Sequence, residues 1–428
     1  MVVRVVDGSR LHPRVRERGA VPVMRRTSVL IALALVAASC GAGERSIVVG
    51  AVYPTGGHQG PGGIEEYRGV ELAAEYVNRK GGGVGGRPVK LELRPAEHRE
   101  QAPRAVDALA DRGVQVVLGS YGSTISAPAA SAAARRGLVF WETGAVGDLP
   151  MATARSSSAY RFPASGRILG RQAVAFVRDQ LNLGRTNTYT VAYVDDVYGR
   201  SVGLGAIDEI ERSGLRLGAQ LPYVLTSVDY EGLVDRIASA RTDILVVASY
   251  LDDAIALRRA VVKRGLKLKA NIGTSSSYCM LQFGELLGKD AVGLFASDKP
   301  DGAAVDARTL SEDAAQALIW ARRSYRERFD TGMTAPALTG FSGALGLFRF
   351  VLPRADGTSS RAIARAARDV DVPLGALPNG SGLRFESRPG EVRANQRATS
   401  VIWEWVNPKT RAVVWPPSRA THAVVAPH

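Results

Sequence analysis

Residues 244–273 read ILVVASYLDDAIALRRAVVKRGLKLKANIG. The run ILVVA at 244–248 is short and apolar, as a buried strand requires. Residues 251–264 then carry a helical pattern, and 268–273 return to a strand. A strand, a helix of 10–15 residues and a second strand make one unit of a parallel sheet covered on both faces. Working outward, the same unit recurs. Upstream lie a helix at 172–181, the strand TVAYV at 190–194, a helix at 199–213, a strand at 217–221 and a helix at 230–240. A separate run precedes residue 160. It comprises SIVVGA at 46–51, then a helix with Val70, Ala73, Ala74 and Val77 at i, i+3, i+4 and i+7. Strands at 89–93, 114–118 (VQVVL) and 138–141 and helices at 102–112 and 124–135 complete it. Two runs imply an α/β fold of two Rossmann-like lobes with parallel sheets. Helices expected at 311–329, 335–351 and 360–370 return to cover the first lobe. A strand pair at 400–405 and 412–415 closes the second.

The chain has 428 residues, 46% hydrophobic and 22% charged, an ordinary globular composition that excludes disorder, collagen and coiled coil. Its 55 Lys and Arg against 41 Asp and Glu give a net charge of +14. Residues 1–39 alone hold seven Arg and two acids, and the remaining basic residues are scattered, so no nucleic-acid partner is expected. Cys40 and Cys279 are the only cysteines, and the five His lie far apart without metal-ligand spacing. No metal and no cofactor are expected. The segment GGGVGG at 81–86 fits GxGxxG in letters, but it follows a helix and precedes a strand, the reverse of a dinucleotide site. It is read as a Gly-rich turn. GSYGS at 119–123 is not GxSxG, and neither His58 nor His98 stands at a spacing that supports a triad with a serine.

Residues 24–40, MRRTSVLIALALVAASC, have the layout of a secretory signal: Arg25 and Arg26, a short apolar run, small residues and then Cys40. The run is too short for a span of ~20 residues, and no later segment is read as long and apolar enough to cross a membrane. Residues 1–23 are read as an upstream extension. A cysteine after Ala37-Ala38-Ser39 resembles a bacterial lipobox, which implies that Cys40 is lipidated and holds the protein outside the cytoplasmic membrane, at the cell surface or in the periplasm.

What remains is a set of polar loops at the C-terminal ends of strands, where open α/β sheets bind ligands. On IVVGAVYPTGG (47–57), GVELAAEYVNRKGGGVGGRPVKLE (69–92), VQVVLGSYGSTISAPAASAAARRGLVFW (114–141), VAYVDDVYGRSVG (191–203) and ILVVASYLDDAIALRRAVVKRGLK (244–267), the chain resembles the type I periplasmic substrate-binding proteins. The likeness is to the leucine/branched-chain amino-acid-binding family of ABC importers and covers residues 46–405. It implies three crossovers, hinged closure on a small-molecule ligand, no enzymatic activity, and ABC permease and ATPase subunits as partners. The lobes are expected at 46–163 with 298–390, and at 164–297 with 391–428, behind a signal at 1–39 and a linker at 40–45. Ser123 matches the family's hydroxyl for the ligand carboxylate. Gly144, with Ala145 beside it, matches a backbone contact, and Tyr198 and Tyr250 match cleft tyrosines. Tyr121 and Trp141 are candidates for the side-chain pocket. The family's threonine and acid for the ligand ammonium align with Val146 and Ser275. Either Glu142 or Asp252 replaces the missing acid, or the ligand is not a free α-amino acid but an amide, a urea-like compound or another small carboxylate. A ligand-sensing receptor of the same fold is the alternative function; a secreted hydrolase ranks below both.

Overall fold

The computed structural model describes residues 46–147, 158–386 and 393–425. The signal stretch 1–39, Cys40 and the linker 40–45 lie outside the described residues. Five parallel strands open the first lobe: β1 (Ile47–Val52), β2 (Val89–Leu93), β3 (Val116–Gly119), β4 (Val139–Glu142) and β5 (Ala159–Arg161). Parallel neighbours need crossovers of a dozen or more residues. Helices α1 (Gly60–Gly81), α2 (Gln101–Asp111) and α3 (Ser123–Arg135) supply those from β1 to β4. Helix α1 stops where Gly82 takes φ 65°, its N–H on the Val77 carbonyl and Arg79 and Lys80 in the last turn. That left-handed cap is open to glycine without a Cβ penalty. Val84 and Arg87 then exchange backbone hydrogen bonds of 2.9 and 3.1 Å, so GGGVGG is a turn into β2.

The second lobe repeats the plan with β6 (Thr188–Val194), β7 (Arg216–Tyr223), β8 (Ile244–Ala248), β9 (Ala270–Thr274) and β10 (Phe295–Asp298). Its helices are α4 (Gly166–Asp179), α5 (Val197–Arg212), α6 (Tyr230–Ser239), α7 (Leu251–Lys263) and the short α8 (Leu281–Leu287). The chain then returns through α9 (Glu312–Phe329), α10 (Ala335–Gly346) and α11 (Ser360–Asp369) to three short strands, β11 (Asp371–Val372), β12 (Leu383–Glu386) and β13 (Arg393–Asn395). It ends in the hairpin β14 (Val401–Asn407) and β15 (Thr410–Trp415). The sheets run β11-β12-β13-β5-β4-β3-β1-β2 and β15-β14-β10-β9-β8-β6-β7. The chain passes between lobes three times, after β5, after β10 and after β13. These are the two Rossmann-like lobes of the type I architecture.

Two differences from the sequence reading have physical causes. Strand β13 pairs parallel with β5 and antiparallel with β12, so the first sheet continues beyond residue 390 to Asn395. Strands of two to four residues are too short to show a period. Second, Ala335–Arg354 does have the length and composition of a membrane span, against expectation, but its most apolar 18-residue stretch is 89% buried. It is the central core helix of the first lobe. Helix α1 packs on it so closely that a Cβ on Gly69 or Gly340 would strike the opposing backbone. Large rings fill both cores with their N–H groups satisfied, as buried indoles require: Trp141 Nε1 donates to the Gly343 carbonyl at 2.9 Å, and Trp405 Nε1 to the Tyr278 carbonyl at 2.7 Å.

Candidate functional site

The C-terminal ends of the two sheets face each other, and their loops meet around one small cavity. The first lobe contributes Tyr121, Gly122 and Ser123 after β3, and Gly144 and Val146 after β4. The second contributes Tyr198 at the start of α5, Tyr250 after β8, and Ser275 and Ser276 after β9. Lys299, on the crossover after β10, completes the wall. The space left is about 10 Å³, roughly room for one water. The lobes are closed on each other.

Glycine 122 in extended conformation precedes α3, so Ser123 stands at the helix start, where backbone N–H groups and the helix dipole favour an anionic group. Ser123 Oγ accepts from Gly147 N at 2.9 Å, which leaves its own proton to donate. Opposite, the Tyr198 and Tyr250 rings lie 5.3 Å apart at 39°. Tyr198 donates to the Ser275 carbonyl, with Thr274 Oγ1 at 3.0 Å. Tyr250 donates to Asp196 Oδ2 at 2.6 Å, while Asp196 Oδ1 caps α5 through Gly199 N at 2.8 Å. Burial drives both phenols well above their usual range, so they are neutral donors. Ser276 takes φ 74°, a left-handed conformation that costs a non-glycine residue energy and tends to occur at functional sites. The Ser275 hydroxyl is buried without a partner.

Six of the sequence candidates therefore meet at the cavity: Tyr121, Ser123, Gly144, Tyr198, Tyr250 and Ser275. Two do not line it. Ala145 turns its N–H to Glu142, and Glu142 lies behind the loop with both oxygens engaged. Its Oε1 accepts from Gly144 N at 2.8 Å and Ala145 N at 2.7 Å; its Oε2 accepts from Ser120 N at 2.9 Å and from Ser126 Oγ. Glu142 thus shapes the cavity wall from behind. Burial, then the nearby Glu66 carboxylate, push its carboxyl up to about 8 against the pull of those donors. Asp252 is exposed at the start of α7, and Trp141 is a core residue.

Sequence reasoning missed Glu66, Ser276 and Lys299. Glu66, on α1 and fully buried, accepts from Thr143 Oγ1 at 2.6 Å, and Tyr53 meets the same hydroxyl at 2.5 Å. Burial raises Glu66 to about 7, with Lys299 pulling the other way. Lys299 Nζ donates to the Gly144 carbonyl at 3.2 Å and lies 3.6 Å from Asp298 Oδ1. Among the described residues it is the one charged side chain on the cavity wall. The arrangement offers hydroxyl donors, a helix start, an ammonium and aromatic walls, the means to hold a small anionic molecule. The neighbour of Ser123 Oγ is an amide rather than a base, and His58 and His98 are both exposed.

Comparison with known proteins agrees with the fold. A profile of the periplasmic binding protein family matches residues 46–399. Leu/Ile/Val-binding protein homolog 7 of Brucella abortus (strain 2308) is 25% identical over 93% of this chain and 99% of its own length. Homolog 8 of Brucella suis biovar 1 (strain 1330) is 26% identical over 93% and 98%. Among solved structures, the leucine-binding protein LivK of Thermotoga maritima MSB8 superposes with a TM-score of 0.72 at 15% identity, covering 86% of this chain and 97% of the other. The Streptococcus pneumoniae LivJ complex with isoleucine gives 0.68 at 17% identity, over 87% and 100%. With its two lobes, three crossovers and closed inter-lobe cavity, the chain belongs to the periplasmic binding protein family and is a binding protein rather than an enzyme.

Proposed function

We propose that the protein is an extracytoplasmic solute receptor that captures a small carboxylate-bearing molecule between its lobes and delivers it to an ABC importer. The observation that carries this reading is the cavity itself. Loops from both lobes converge on it, with Ser123 at a helix start on one side and the Tyr198–Tyr250 pair on the other. Relatives named as Leu/Ile/Val-binding homologues, and similar folds solved with leucine or isoleucine, support a solute of amino-acid size. Lipidated Cys40 tethers the receptor beside its permease. The lobes open to admit the solute, and closure replaces cavity water with ligand.

Calorimetric titration of the purified protein with amino acids, their amides, ureas and small carboxylates tests the reading. A carboxylate-bearing class should bind stoichiometrically and without turnover. Conversion of a bound solute to product, or no binding across the panel, would overturn it. Incorporation of a labelled fatty acid, lost in Cys40→Ala, tests the anchor separately.

A further inference from the structure

Lys299 is a buried side chain on the cavity wall. It is 3% exposed, and removing an ammonium from water is costly unless protein groups replace its hydration. Among the described residues it makes one hydrogen bond, to the Gly144 carbonyl, and one ion pair, to Asp298, and it draws Glu66 toward the charged form. An ammonium has three donors and no acceptor, so it retains donor capacity toward the cavity it lines. The Trp403 indole donates to the Lys299 carbonyl at 3.3 Å and fixes the backbone that carries it.

Glu66 Oε2 and Asp298 Oδ1 have no hydrogen-bond partner among the described residues, but neither residue lines the cavity, and the other carboxylates near it are engaged. Both oxygens of Glu142 and both of Asp196 accept protein donors. Glu66 sits beneath Gly144, behind the loop, where a Cβ on that glycine would overlap it. Asp298 faces Lys299. The Val146 side chain on the wall carries no hydrogen-bonding group. A ligand ammonium entering here would meet another ammonium, an isopropyl group and a carbonyl already taken, with the Ser275 hydroxyl as a neutral acceptor and no carboxylate on the wall. A ligand carboxylate would meet the Ser123 hydroxyl, a helix start and the spare donors of Lys299.

We propose that Lys299 sets the specificity of the cleft: its ammonium fills the position that a zwitterion's own ammonium would need, so the protein takes small monocarboxylates lacking an α-amino group and rejects free amino acids. The three tyrosines on the wall suit an apolar or aromatic body on that acid. The inference rests on the solute-receptor reading and narrows it to a class.

Matched pairs of probes test it: leucine against 4-methylpentanoate and 4-methyl-2-oxopentanoate, and phenylalanine against 3-phenylpropanoate. Titration of the wild-type protein should favour the amine-free acid by roughly 100-fold or more, as unpaired or opposed buried charges discriminate strongly. Lys299→Met, which keeps the stem and removes the charge, should reverse the order within a pair by weakening the acid and freeing Gly144 O and Asp298 for an ammonium. Wild-type protein that prefers the amino acid overturns the inference and leaves the receptor function standing. Wild-type protein that binds no member of any pair, nor any other solute, overturns both. The wild-type preference decides the question even where the variant does not fold.

Discussion

Replacing Gly144 by alanine tests how the cavity wall is built. The Gly144 N–H is held at 2.8 Å by Glu142 Oε1 and its carbonyl at 3.2 Å by Lys299 Nζ, so the peptide is pinned on both sides. A Cβ added there would fall less than 3.0 Å from Cδ and both oxygens of Glu66. Glu66 has little room to withdraw. It is fully buried, its Oε1 is bonded to Thr143, and its Cγ already lies close to the Cβ position of Gly340. Either the carboxylate or the 143–146 loop must move. Forcing a methyl into a packed site of this kind costs about 1–3 kcal/mol. For a lobe of this size, about 2 kcal/mol lowers the melting temperature by roughly 4–8 °C. Because the displaced loop is the cavity wall, ligand affinity should fall as well. Glu66→Ala should relieve the clash, so the double variant should be more stable than the sum of the single effects, a coupling that a double-mutant cycle reads directly. Calorimetric melting of the four proteins is the assay. Strictly additive effects, or a Gly144→Ala protein that melts and binds like wild type, would refute the packing of Glu66 beneath this loop.

Stability should depend on pH through buried carboxyls, with Glu66, Asp253 and Glu142 the most strongly shifted. Glu66 and Asp253, the latter buried in the first turn of α7 where the Tyr223 hydroxyl donates to it, are raised to about 7 and Glu142 to about 8, burial being the largest cause in each case. A carboxyl raised on folding binds more protons in the folded state, so its contribution is complete below the unfolded value and is lost as pH rises through 7 to 8. The melting temperature should therefore fall between pH 6 and 8.5, and Asp253→Asn should flatten that fall; a curve rising over this range contradicts the assignment. Trp405→Ala should cost about 3–5 kcal/mol by leaving a cavity and an unpaired Tyr278 carbonyl. Its binding at temperatures well below the melt should stay within a few-fold of wild type, because Trp405 does not line the cleft. Tyr198→Phe and Tyr250→Phe should each weaken ligand binding without unfolding the protein, and unchanged affinity in both variants would place the site elsewhere.

The lobes were legible because buried parallel strands such as ILVVA and TVAYV are continuous apolar runs separated by helices of regular length. Strands β11 to β13 were not, since two to four residues carry no period and their pairing is set by partners far along the chain. Within the site, loops at strand ends marked the crevice, because ligands bind there in open α/β sheets, and the family resemblance singled out Ser123, Tyr198 and Tyr250 within those loops. The direction of Glu142 was not legible: VFWE is buried at every position, so alternation gives no face. Lys299 was invisible for a related reason. Nothing in the stretch FASDKPDG marks it for burial, and its hydrogen-bond partner Gly144 lies 155 residues away in sequence.

The central claim is that the inter-lobe cavity holds a small carboxylate. Ligand-induced melting shifts with wild-type and Ser123→Ala protein over one solute panel test it most directly. A carboxylate at ~1,000 times its dissociation constant should stabilise the wild type by about 4 kcal/mol, and the gain should shrink markedly in Ser123→Ala. A panel that shifts neither protein, or shifts both equally, would contradict the account.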